Sequence, residues 1–158
     1  MAPQDWKAIL LAPVAESLKS RGFRKNGMRF RADRCEAELS VALQSSQTSD
    51  RYHLKVTANL SIHLGVLDRD PTLFAPEGHW RQRIGQFMLG RPDHWWLCHD
   101  EETAQRAGEQ ITAILETAAL PEMERLASSE ALRDLWAAGC SPGLTERQRQ
   151  EFLGRLRQ

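Results

Sequence analysis

Cysteine is scarce in this chain, and its scarcity excludes a class of architectures. Cys35, Cys98 and Cys140 are odd in number and widely separated, which fits no disulfide framework and no CxxC metal or redox pair. A reducing compartment suits them. A charge of one sign is missing as well: 21 Lys+Arg stand against 21 Asp+Glu, a formal net charge of zero. No global field therefore draws the chain to nucleic acid, to an anionic membrane or to a strongly charged partner, and electrostatic recognition has to be local. Apolar runs fall far short of the roughly 20 residues of a spanning helix. The N-terminal Met1-Ala-Pro-Gln-Asp-Trp6 has neither the basic nor the apolar region of a signal peptide. Secretion and membrane insertion are disfavoured, and a cytoplasmic location is expected. Phosphate-loop, dinucleotide-binding and nucleophile-elbow patterns do not occur, nor does an internal repeat.

What is present is the make-up of an ordinary folded domain, 41% hydrophobic and 27% charged over 158 residues, with enough chain for one core. Trp6, Ile9, Leu10, Val14 and Leu18 recur at helical spacing up to Gly22, a helix kinked or broken at Pro13. After Gly22 the period changes to two, which marks strands. Met28, Phe30 and Ala32 oppose Arg29 and Arg31; Ala37, Leu39, Val41 and Leu43 oppose Glu36, Glu38, Ser40 and Gln44. In the longest alternation the apolar positions from Tyr52 to Leu64 oppose Arg51, His53, Lys55, Thr57, Asn59, Ser61 and His63. A two-residue turn at Asp33-Arg34 would set Arg31 opposite Glu36 and Arg29 opposite Glu38.

Residues 66–79 read as an irregular connection, and Arg83–Met88 and His94–Cys98 as a fourth and a fifth strand. Asp100 caps a helix whose stripe is Ala107, Ile111, Ile114, Leu115 and Ala118; Pro121 opens another helical segment, and Ser129 to Ala138 adds a further turn or two. Thr145 and Gln148 form a capping box for a last helix. The expected architecture is α+β: an antiparallel sheet of four to five strands with an N-terminal helix and C-terminal helices packed on one face. It forms a single domain over 1–158 with a C-terminal helical extension at 144–158.

The string Gly22-Phe-Arg-Lys-Asn-Gly27, with Phe30-Arg31, Gln44-Ser-Ser46, Leu60 through Gly65, Trp80-Arg-Gln-Arg-Ile-Gly85, Asp93-His-Trp-Trp96 and Leu120-Pro121, resembles the domain of unknown function 4304 family. The likeness runs in order from about Leu10 to Trp136, and Arg-Ile-Gly followed by Asp-x-Trp-Trp is its most specific part. The resemblance implies a compact bacterial α+β domain and brings no activity or site residue with it.

Local chemistry is densest where Trp80, Arg81 and Arg83 are followed by Arg91, His94, Trp95, Trp96, Cys98 and His99. Guanidinium forks bind carboxylate or phosphate at two points, and exposed indoles offer flat area for a partner. Arg81, Arg83, His94, Trp95 and Trp96 are therefore the candidate binding residues. The plainer reading, that Trp95 or Trp96 plugs the core while the arginines pair with nearby acids, is favoured.

His94, Cys98, His99, His79 and Asp100 include zinc-ligand types, but on a strand His99 points away from His94 and Cys98, so no metal is assigned. Nothing positions Cys98 as a nucleophile with His79 or His94 as its base, and no catalytic residue or cofactor is implied. The polar face from Arg51 to His63 could line a groove, although Glu36 and Glu38 would oppose anions there and solvent is the favoured neighbour. The expected function is that of a small binding protein with a protein partner such as a toxin, in the manner of an immunity protein. The alternative is a small-ligand module or enzyme with a pocket near Arg81, Arg83, His94 and Trp96. Nucleic acid ranks below both.

Overall fold

The period-two segments become strands because alternation lets one face of a sheet bury its apolar side chains while the other stays wet. A computed structural model describes residues 3–73 and 75–158. β1 (Arg24–Asn26), β2 (Arg29–Asp33), β3 (Ala37–Ser45) and β4 (Leu54–Leu64) lie side by side in that order, all antiparallel. β5 (Trp80–Arg83) and β6 (Trp96–Cys98) both pair with the far side of β4, β5 along Asn59–Ile62 and β6 along Leu54–Val56. The inner face carries Phe30, Ala32, Leu39, Val41, Leu43, Val56, Ala58, Leu60, Ile62 and Leu64, all buried. The architecture is α+β, with six strands among the described residues.

α1 (Pro3–Ser20) and α3 (Glu101–Ile114) pack on each other and supply Leu10, Val14, Leu18, Ala104, Ala107 and Ile111 to the core. Of the two alternatives at Pro13, kinked or broken, the break does not occur; α1 runs through it. Interior proline costs about 3 kcal/mol. Burying Leu10, Val14 and Leu18 returns roughly 1.5–3 kcal/mol each, so the packed face outweighs the lost backbone bond. Pro121 stands in the first turn of its own helical segment, as expected, but that segment joins α3 without a gap. α3 passes through a π-turn at Leu115–Ala119 into α4 (Leu120–Leu126), and the widened turn makes room for a ring that would otherwise strike the carbonyl four residues back.

A short α2 (Gly65–Asp68) follows β4. α5 (Ser129–Ala137) and α6 (Glu146–Leu156) close the chain, and the capping box of Thr145 and Gln148 opens α6. Phe152 of α6 meets the buried His79 edge-on, with ring centroids 5.2 Å apart, and packs beside Trp136 of α5.

Three strand expectations are corrected. The β2–β3 turn falls two residues later than expected, at Cys35-Glu36: Arg31 lies opposite Ser40, Arg29 opposite Ala42, and Asp33 faces Glu38. Arg34 closes the turn. Its N–H donates to the Ala37 carbonyl (2.7 Å), while its guanidinium donates to Glu124 of α4 and to the carbonyls of Asp33 and Arg21. The third alternation begins at Leu54, and Tyr52 is exposed. The fourth strand is Trp80–Arg83, followed by a 3-10 turn at Ile84–Phe87 where a strand was expected, and the fifth shortens to Trp96–Cys98. β1 had no counterpart in the sequence reading.

Candidate functional site

Registers set the site on the outer face. Across four strands, Arg29 faces Ala42, Ala42 faces Asn59, and Asn59 faces Arg83; in the next row Arg31 faces Ser40, Ser40 faces Ser61, and Ser61 faces Arg81. Each row therefore begins and ends in arginine, with small or amide side chains between. Small residues in the middle and long ones at the ends make a trough, and a groove of about 560 Å³ lies there. Ser40, Ala42 and Ser61 form its floor, Arg29 one wall, and Arg81 and Arg83 the other. Asn59 donates to Gln44 Oε1 (2.7 Å), closing an amide pair beside the floor.

The β5 wall is held in place by its surroundings. Arg81 pairs with Glu77 and donates to the Gly143 carbonyl, while the Arg81 backbone N–H donates to the Pro142 carbonyl (3.1 Å). Gly143 has φ +80°, and a Cβ there would stand 2.5 Å from the Arg81 Cβ, so only glycine lets the chain pass so close. Arg83 pairs with Asp93 at 3.2 Å and lies 5.2 Å from the Trp95 ring centroid, a cation–π contact. Both partner carboxylates stand well out in solvent, with 76% of the Glu77 side chain and 66% of the Asp93 side chain exposed.

Two polar groups in this groove have no protein partner. Among the described residues the Arg81 Nε is buried and unbonded, and the Ser40 hydroxyl makes no hydrogen bond to protein and opens into the groove. Opposite them, Arg29 forms no ion pair among the described residues.

Of the candidate residues, Arg81 and Arg83 share the groove wall, and Trp95 stands against Arg83. His94 and Trp96 do not line the groove. The Trp96 indole is buried and donates to Gln110 of α3 (2.8 Å), because β6 turns it to the inner face opposite Val56. The His94 ring packs edge-on against Trp96 at 4.5 Å, and its carbonyl accepts from the buried Thr57 hydroxyl (2.7 Å). Trp96 thus lies in the core and half-buried His94 in the connection before β6, both apart from the groove. Arg29, Ser40 and Gln44 were missed, because they join the site only when the β2–β3 register is known. Of the two acids expected to oppose anions on this face, Glu36 lies in the turn, whereas Glu38 stands 3.8 Å from Arg31 and partly offsets its charge.

A family model described as a domain of unknown function, DUF4304, matches residues 14–125. The chain belongs to the DUF4304 family. Among curated proteins and among solved structures nothing matches the chain. The DUF4304 segment contains both arginine rows and the floor, whereas Pro142 and Gly143, which hold Arg81, lie beyond it.

The remaining reactive groups are dispersed. No three of His, Cys, Asp and Glu stand together as metal ligands among the described residues. His79 is fully buried; the Leu64 N–H donates to its Nδ1 (2.9 Å), and its Nε2 faces Asp68 at 3.6 Å. Cys98 is buried on the inner face, and burial, with Asp100 nearby, pushes its thiol up to about 11, so the nucleophilic thiolate is suppressed. Cys35 and Cys140 are exposed, and all three cysteines are free. A thiol reagent at neutral pH should consume two equivalents quickly in the native protein and the third only on unfolding. A fast third equivalent would contradict the burial of Cys98. No helix among the described residues is long and apolar enough to cross a membrane.

Proposed function

We propose that this DUF4304 protein is a binding protein, that the groove over the outer sheet face is its site, and that a small carboxylate is its ligand. The observation that supports it most is a floor of small side chains, Ser40, Ala42 and Ser61, flanked by arginine at both ends of two cross-strand rows, with the buried Arg81 Nε unpartnered among the described residues. A ligand oxygen over the floor would accept from the Ser40 hydroxyl while meeting a guanidinium fork. The one carboxylate lining the groove, Glu77, is paired with Arg81, and neither histidine nor cysteine lines it to activate the Ser40 or Ser61 hydroxyl, so binding fits it better than catalysis.

A protein partner, of which a toxin held by an immunity-type protein is one form, is the second reading. Wholly exposed Leu89 and half-exposed Leu97 favour it.

Titration with a monocarboxylate such as propionate, followed by amide NMR, should move Ser40, Ser61 and Arg81 saturably. Replacing both Arg81 and Arg83 with Ala should weaken that binding about tenfold or more. The same double change should cost about 1 kcal/mol or less per arginine in stability, because each ion pair is made to an exposed acid. Saturable shifts confined to the Leu89 and Leu97 region with a partner protein, and none in the groove, would replace this reading with the second.

A further inference from the structure

The arginines of the groove stand at its two sides, with no charge between them. Arg81 and Arg83 on β5 already share rim carboxylates, Glu77 and Asp93. On the opposite side Arg29 has no acidic partner among the described residues, and Arg31 has only the distant Glu38 at 3.8 Å. Between the two sides lie Ser40, Ser61, Ala42 and Asn59: two hydroxyls, a methyl and an amide. β2 and β5 are separated by three strand spacings, about 14 Å between backbones, and the side chains lean into that gap. The pattern across the groove is positive, neutral, positive.

Resting on the reading that the groove binds carboxylate, we infer that the ligand is an elongated dicarboxylate lying across the strands, one carboxylate at Arg81 and Arg83 and the other at Arg29. A single carboxylate would leave Arg29 uncompensated. The rim carboxylates Glu77 and Asp93 disfavour the second negative charge that a phosphate monoester would bring to the β5 side. The floor carries no aromatic ring on which a base could stack, which separates this groove from those of single-stranded nucleic-acid binders. The uncharged floor has donors, Ser40 and Ser61, for polar atoms in the middle of the ligand, and its small side chains give the connecting chain room to lie flat.

Calorimetric titration of the full chain with three probes tests this: suberate, its monomethyl ester, which has the same length and one charge fewer, and succinate, which has both charges but is too short to span. Suberate should bind roughly tenfold tighter than either of the others. Arg29→Gln should abolish the difference between suberate and the monomethyl ester, because only suberate needs an arginine at both sides. Equal affinity for suberate and the ester in the wild type overturns the two-ended ligand but leaves a carboxylate site at Arg81. Equal weakening of both probes by Arg29→Gln overturns it in the same way. If none of the three probes binds, the carboxylate reading of the groove falls with it.

Discussion

Lowering the pH from about 7 to 4 is expected to remove up to roughly 3 kcal/mol of folding stability through His79 alone. The imidazole is fully buried between the end of β4 and Phe152 of α6. Burial is the main cause that lowers its pKa from 6.5 to about 4; the neighbouring His63 lowers it further, and the Asp68 carboxylate pulls the other way. Because the folded value lies below the unfolded one, the unfolded chain binds more protons between pH 6.5 and 4. The contribution is therefore complete above about pH 6.5, declines as the pH falls, and is lost in full below about pH 4. Urea titrations at stepped pH measure it. The variant His79→Gln, which keeps an acceptor for the Leu64 N–H but cannot titrate, isolates it from the carboxylates. Those act lower: Asp50, Asp70, Asp100 and Glu146 have folded values held below their ordinary range by hydrogen bonds to Tyr52, Thr72, Thr103 and Arg149 respectively. The Gln variant should show a flatter profile between pH 6.5 and 4. An unchanged slope would mean that the imidazole is hydrated in the folded protein.

Gly85→Ala should destabilise the protein by about 3 kcal/mol, at the upper end for an inserted methyl, because the obstacle is backbone and not a side chain that can rotate away. A Cβ at that position would stand 1.9 Å from the Pro92 carbonyl oxygen and 3.0 Å from the His94 nitrogen. To admit it, residues 92–95 have to lift from the 3-10 turn. That movement breaks the Thr57–His94 bond and draws Trp95 away from Arg83. Denaturation and tryptophan fluorescence should therefore change together, and carboxylate affinity should fall because Arg83 loses its support. Wild-type stability in this variant would show that the segment gives way freely.

The sheet was legible because alternation is a direct consequence of one buried face. Phe30, Leu39, Val41, Val56, Leu60 and Ile62 all point inward as their spacing requires. β1 was not legible, since its three residues are all exposed and carry no apolar period. At Pro13 a break was one of two alternatives because the local backbone cost is visible in the sequence, whereas the burial of Leu10, Val14 and Leu18 that opposes it is not. At the site, the two-residue spacing of Arg81 and Arg83 was enough to place them on one face. Their partners were not readable, because a groove made by four strands depends on register, and the β2–β3 register depends on which two residues make the turn, which the alternation alone leaves open. Trp95 and Trp96 illustrate a further limit. Adjacent strand residues face opposite ways, so one had to enter the core, and nothing in the dipeptide itself says which.

The way β4 shares its flank also bears on solubility during folding. Eleven residues of unpaired strand would offer a second copy a long template for sheet extension, the first step of amyloid-like growth. Here that flank is divided between two short strands, β5 and β6, and Pro142 occupies the Arg81 N–H on the outer side of β5. The opposite border of the sheet is the three-residue β1, whose Arg24 and Lys25 are exposed and cationic. An incoming strand thus finds at most a few consecutive free amides at either border, and like charge at one of them, so the sheet stops growing where the chain does.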